Sequence, residues 1–438
     1  MRTDPPPATA RETGSIGVVS AVALGVGGMM GAGLYTLLGL AARSSGVLLP
    51  ASFLLAGVAA AFSVYSYARL GATYPSRGGA AQFLLSALGN TVVCRGLNVF
   101  QYLAYLIATS LYAAGFAEYV GALSGRALSA NAGKLVGAGV VAVFTLVNLL
   151  GSRLVGRSQT VIIAAEVVIL LGLIAIGLSG AEPSRVTSTP FPSGLGVVTG
   201  AALLYVTYQG FGVVANAAGD MADPRRELPR AMFLALGIVA AIYLIVSSLV
   251  VMLLPLATIE ADAGHVLATV GGAVAGRTGF LVIGAAAILA TGSAVNATLF
   301  AASNIGSDLA EHRQLPRAMT RPFRRDAPWS LPVSAAGVIL LVLFFPLDAV
   351  GQMTSLAFLV VYGAVSAAHL RVRAHTGARA WPLVLAVAVN AALFVILLVD
   401  TIRTGTPATW ITLLAALGGS FVFAVTVRRE EHRTSALR

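Results

Sequence analysis

Apolar positions in this chain do not alternate with polar ones. They run on continuously and stop at short clusters of Arg, Gly and Pro. A run of ~20 apolar residues wound as an α-helix matches the ~30 Å hydrocarbon core of a bilayer. Twelve such runs are predicted, at 15–40, 47–70, 92–120, 134–151, 161–179, 195–218, 231–254, 278–305, 331–346, 350–369, 381–400 and 408–427. Backbone groups in lipid must bond within their own segment or to a closed barrel. Continuous rather than alternating runs exclude the barrel, so the spans are helices.

Composition sharpens this picture. Of 438 residues 57% are hydrophobic and 10% charged, against about 25% charged in a soluble protein. The formal charge of +11 suggests nucleic acid at first sight, but the arginines form no stripe and sit in the gaps between apolar runs. Cys94 is the one cysteine, which excludes an internal disulfide or a cysteine metal cluster. Residues 1–13 are polar and proline-rich and lead straight into a full-length span, so no cleavable signal is expected.

The cations also orient the chain. With the N-terminus inside, only Arg43, Arg126, Lys134, Arg185, Arg277 and Arg403 fall outside, 6 of 28; the other 22 are inside. That asymmetry follows the positive-inside rule and predicts that both termini are cytoplasmic.

The first span carries Gly25-Val26-Gly27-Gly28-Met29-Met30-Gly31-Ala32-Gly33. Glycine in a helix interior costs up to ~1 kcal/mol relative to alanine. Gly27 and Gly31 alone would make a close-packing face, but so many glycines in mid-span favour a broken helix that lines a cavity. The second half-helix then begins with free N–H groups and a positive dipole end suited to a carboxylate, while the first ends in carbonyls suited to an ammonium or a cation. An amino acid carries both groups on one carbon. Tyr208-Gln209-Gly210-Phe211-Gly212 interrupts the sixth span in the corresponding place. Paired interruptions point to a site between inverted repeats.

These residues carry a resemblance. Ala23 to Tyr35, Tyr67-Ala68-Arg69-Leu70-Gly71 with Tyr74-Pro75-Ser76-Arg77-Gly78-Gly79-Ala80, Gly210-Phe211 through Asn216 to Asp223-Pro224-Arg225-Arg226-Glu227-Leu228-Pro229-Arg230-Ala231, and Asn296 with Leu315-Pro316 occur in that order. Together they resemble the amino acid–polyamine–organocation superfamily of secondary transporters, over about 14–429. The resemblance implies an all-α integral membrane protein of about 12 transmembrane helices with a LeuT-like fold. It would comprise a 5+5 inverted repeat with helices 1 and 6 broken, plus two extra helices. The implied organisation is a cytoplasmic tail (1–14), a first repeat (15–180), a second repeat (181–370), two further helices (371–427) and a cytoplasmic C-terminal tail (428–438). By position it implies that Met29, Gly31, Ala32 and Gly33 face the substrate. The N–H groups near Ala32 and Gly33 would take a carboxylate. Carbonyls of Met29, Val206 and Gln209, with the break at Gly210, would take the amine.

Two positions depart from the family. Gly212 stands where many members carry an acidic residue, so that role is lost or has moved. Glu166 replaces a lysine common in the fifth helix, in the region where sodium-coupled relatives hold a cation. Glu166 is also the one carboxylate deep inside an apolar run, where an ionisable group marks function. It is the candidate for proton coupling; a structural carboxyl is the alternative, and sodium coupling stays open. Glu118 is expected in an outer vestibule. Asp223-Pro224 and Leu228-Pro229 read as helix-ending punctuation. The five histidines are read as lying in loops and cytoplasmic ends, without ligand spacing.

The predicted function is a secondary carrier for amino acids or related small amines in the plasma membrane. A potassium-type cation carrier on the same fold is the alternative. No catalytic residue, metal, cofactor or nucleic-acid partner is expected. The spans hold no cluster of His, Cys and carboxylates, and Lys134, the only lysine, sits in no phosphate-binding loop. Tyr102, Tyr105, Phe211 and Ser293 are candidates for the side-chain pocket. With no charged group expected there, a neutral substrate is predicted.

Overall fold

The computed structural model describes residues 16–75, 79–125, 128–150, 155–324 and 327–436, without the side chains of Ala32, Leu150, 155–160 and 428–436. The predicted N-terminal tail (1–14) and Ser76-Arg77-Gly78 of the inner-loop motif lie outside the described residues.

The first predicted span is two helices, α1 (Val18–Met30) and α2 (Ala32–Ser45), and the second is α3 (Leu49–Thr73). A short helix α4 (Gly79–Leu88) leads to α5 (Val92–Leu123), α6 (Ala130–Leu150) and α7 (Val155–Gly177). After the short α8 (Ser184–Ser188), the sixth span is built of α9 (Gly194–Leu204), a 3-10 stretch Tyr205–Tyr208 and α10 (Phe211–Asn216). Then come α11 (Pro224–Leu253), the connector α12 (Leu256–Ala261) and α13 (Val266–Glu311). A two-stranded antiparallel ribbon, β1 (Pro322–Arg324) and β2 (Ala327–Pro328), precedes α14 (Ser330–Phe344), α15 (Leu347–Thr376), α16 (Ala380–Thr404) and α17 (Pro407–Ala436).

Among the described residues, 10 stretches are long and apolar enough to cross a membrane. The first, Gly33–Thr73, contains both α2 and α3, and α14 is a shorter apolar helix. Separating the one and adding the other yields the twelve predicted spans. Val143 and Leu146 on α6, with Val168, Leu171 and Ile176 on α7, are exposed. Apolar faces of that extent suit lipid, not water. The chain is an all-α, multi-pass membrane protein.

The broken spans cross at the centre. Around them α5 packs on α13, and α3 and α1 both pack on α11. Tyr67, Phe211, Phe358 and Tyr362 form an aromatic cluster beside the crossing, with the rings of Phe211 and Tyr362 4.8 Å apart.

Four details differ from the sequence reading. Asp223-Pro224 starts a helix rather than ending one: Asp223 is the N-cap of α11 and Pro224 its first residue, where a missing N–H is harmless. Pro229 lies inside α11, giving up one helical bond to the Arg225 carbonyl. The long α13 kinks at Ala275 and Gly276, whose φ of 60° needs glycine, so the predicted eighth span begins just past the kink. His369 is no loop residue. It is fully buried in α15, with Nδ1 2.9 Å from Ser66 Oγ and Nε2 2.8 Å from Thr376 Oγ1. Both ring nitrogens are satisfied, which accounts for a polar ring in a buried helix.

Candidate functional site

The first break is a single residue. Gly31 has φ −54° and ψ −156°, which takes it out of the helix between α1 and α2. Gly31, the N-cap of α2, brings no capping side chain, which leaves the first N–H groups of α2 for a ligand. The other glycines of the motif serve packing, the alternative weighed for them. A Cβ on Gly25 would stand 2.7 Å from Ala235 and Val214, and one on Gly27 would stand within 3.0 Å of the Ile163 side chain. Breaking and packing thus fall to different glycines of one motif.

The second break is gentler. The sixth span tightens into its 3-10 stretch, where Gln209 N–H donates to the Val206 carbonyl at 3.0 Å, and α10 resumes at Phe211. The two breaks lie directly against each other. A Cβ on Gly210 would fall 2.1 Å from the carbonyl carbon of Gly28, and one on Gly33 would fall 3.2 Å from Thr207 Cα. Gly210 is therefore the position at which only glycine admits the crossing.

Tyrosines brace the crossing. Tyr243 of α11 donates its hydroxyl to the Met29 carbonyl and lies 3.3 Å from the Thr207 carbonyl. Tyr362 of α15 donates to the Gln209 carbonyl at 3.1 Å, and Gln209 Nε2 donates to Tyr112 Oη at 2.7 Å. Sequence reading missed all three tyrosines. Their signal was a hydroxyl inside an apolar span, which must find a partner, but the partner is distant in sequence.

A cavity of ≈ 370 Å³ opens at the crossing. Met29, Gly31, Gly33, Val206, Gln209, Gly210 and Glu166 all line it, so residues from three predicted spans meet in one place. Ala32 opens α2, and its side chain lies outside the described residues. Tyr105 and Ser293 also line the cavity. Tyr102 instead pairs with Ser334 at 2.9 Å, and Phe211 packs in the aromatic cluster. Asn296, from the eighth-span motif, accepts from Asn148 Nδ2 at 2.7 Å and ties α13 to α6.

The carbonyls implied as amine acceptors are not bare. Those of Met29 and Gln209 receive tyrosine hydroxyls, and that of Val206 receives a backbone N–H. A carbonyl has a second lone pair, so a ligand ammonium would share those of Met29 and Val206, whereas that of Gln209 also receives the Gly212 N–H at 3.1 Å and has both lone pairs engaged. Glu166 is the one charged side chain lining the cavity among the described residues. It is 4% exposed, and its Oε1 has no hydrogen-bond partner there. Glu118 lies apart and exposed, in a separate cavity of ≈ 480 Å³ with Lys134 and His265.

A helical membrane bundle with two crossed, broken spans around a small cavity has the architecture of a transporter. The amino acid permease family model matches residues 16–424, and the chain belongs to that family. It is 30% identical to an uncharacterized protein of Methanocaldococcus jannaschii, over 94% of this chain and 95% of that one. It is 32% identical to the inner membrane transport protein YbaT of Escherichia coli, over 82% and 84%. It is also 30% identical to the vacuolar cationic amino acid transporter 4 of Arabidopsis thaliana, over 82% and 63%. The chain is a transporter, not an enzyme.

Proposed function

We propose that this permease is a secondary active carrier of amino acids or related small amines across the plasma membrane, working by alternating access and coupled to protons through Glu166. The observation that carries the reading is the shared cavity. It brings the uncapped start of α2, carbonyls from both breaks and one buried carboxyl within reach of a single small ligand. The substrate carboxylate would meet the N–H groups after Gly31. Its ammonium would share the Met29 and Val206 carbonyls, and Glu166 would carry the coupling proton. Residues 15–180 and 181–370 would form the two repeats that rock about this site.

The alternative, a potassium-type carrier, would draw on the break carbonyls as cation ligands. The N–H groups at the start of α2 favour the amino acid reading, because they suit a carboxylate and offer nothing to a cation. The test is uptake of a panel of labelled amino acids into proteoliposomes under an inward proton gradient, an inward sodium gradient or none. Accumulation of an amino acid under the proton gradient alone is the expected result. Accumulation under sodium alone, or of potassium in place of amino acids, would refute it.

The charge asymmetry supports a cytoplasmic position for both termini. Reporters fused after Arg157 and after Arg325 are expected to report cytoplasm, and one within 182–189 the outer side. A reversed reading at either inner site would remove a span from the count and with it the pairing of the two breaks.

A further inference from the structure

The connection from α13 to α14 is strongly basic. Residues 313–325 hold five arginines and no acidic residue. Two side chains seat it on the bundle. Gln314, 3% exposed, accepts from Asn98 Nδ2 of α5 at 3.0 Å, and Met319 is buried beside Gly306 of α13. That seating leaves Arg313, Arg317, Arg321 and Arg324 exposed. None of the four forms an ion pair among the described residues. Arg313 even holds a φ of 57°, a left-handed position after a helix where glycine is the usual residue.

Two aromatic residues complete the patch. Phe323 of β1 and Trp329, the N-cap of α14, are both exposed, and their rings lie 4.5 Å apart. A ribbon this short is marginal in water. Trp329 leads directly into the apolar α14, and tryptophan favours the level where a span meets the lipid headgroups. Arginine forks match phosphate oxygens in pairs, and basic clusters beside a span are drawn to anionic lipid. The chain's own end is a poor alternative, because residues 428–438 carry two glutamates against four arginines. We propose that the connection from α13 to α14 is a binding surface for anionic phospholipids, with Arg317, Arg321 and Arg324 on the phosphates and Phe323 and Trp329 among the headgroups.

The test uses purified full-length protein in neutral detergent, titrated with phosphatidylglycerol, phosphatidylcholine or inorganic phosphate and read by thermal melting. Wild type is expected to be stabilised by phosphatidylglycerol well before the other two. Each arginine at an anionic surface contributes about fivefold in affinity, so Arg321→Gln with Arg324→Gln should raise the half-maximal phosphatidylglycerol concentration about tenfold or more. Phe323→Ser keeps every charge and is expected to weaken the lipid in the same direction. Arg371→Gln with Arg373→Gln removes as much charge from exposed positions near the end of α15 and is expected to leave the titration nearly unchanged. Equal stabilisation by phosphatidylglycerol and phosphatidylcholine would overturn the proposal, because the arginines would then not be read by lipid charge. An equal loss in the two double variants would overturn it too, leaving only the general attraction of a basic surface. A response to inorganic phosphate equal to that to phosphatidylglycerol would replace the lipid by a soluble anion.

Discussion

Glu166→Gln is expected to abolish accumulation of substrate under an inward proton gradient while leaving counterflow exchange near the wild-type rate. Glutamine keeps the size and polarity of a protonated carboxyl but cannot release a proton. Glu166 lines the cavity, is buried, and its Oε1 has no hydrogen-bond partner among the described residues. A proton drives transport only if it binds the two faces of the cycle differently. At one proton per substrate, each unit of pH difference is worth about 1.4 kcal/mol, or about tenfold in accumulation. Wild type should approach that ratio and the variant should only equilibrate. Measured in proteoliposomes with counterflow alongside, accumulation by the variant equal to wild type would make Glu166 structural. Loss of both activities together would point to a damaged site rather than lost coupling.

Gly31→Leu and Gly210→Ala are expected to fail in opposite ways. At Gly31 an added Cβ meets nothing nearer than the Gly27 carbonyl oxygen at 3.8 Å and Ala294 Cβ at 3.9 Å, ordinary contact distances. A leucine there reaches into the cavity the residue lines, so the protein should fold and lose ligand binding. At Gly210 even alanine puts its Cβ 2.1 Å from Gly28 backbone. The two breaks must then separate, at the severe end of overpacking, about 3 kcal/mol or more. Folded yield on size-exclusion chromatography and thermal melting should fall for Gly210→Ala and hold for Gly31→Leu. Binding per folded molecule should be lost in Gly31→Leu. Gly33 is the poorer probe of binding, because its missing Cβ faces Thr207 Cα at 3.2 Å, so a side chain there disturbs the crossing itself. Retained binding by folded Gly31→Leu would mean that the cavity is not where substrate sits.

Sequence alone pointed to the class of protein, to a chain of many membrane spans and to the positions of both interruptions, while the limits of the spans shifted, as where the predicted 278–305 became part of α13. All of these depend on local quantities: the length of an apolar run, the conformational cost of glycine, and the charge of the short gaps between runs. Glu166 was legible for the same reason, since a carboxylate inside an apolar segment stands out against its immediate neighbours. The kink at Ala275 and Gly276, the helical place of Pro229 and the buried seat of His369 were not legible. Each depends on what packs against the residue: Ser66, from a different span, satisfies one nitrogen of the histidine ring. The division of labour among the motif glycines was hidden likewise, because Gly27 is spoken for by Ile163 while the space around Gly31 is open. Only the tertiary structure could show that Tyr243 and Tyr362 reach the carbonyls at the two breaks, at sequence separations of 214 and 153. A hydrogen-bond partner or a cavity wall is set by distance in space, and in a bundle of crossing helices that distance bears no relation to order along the chain.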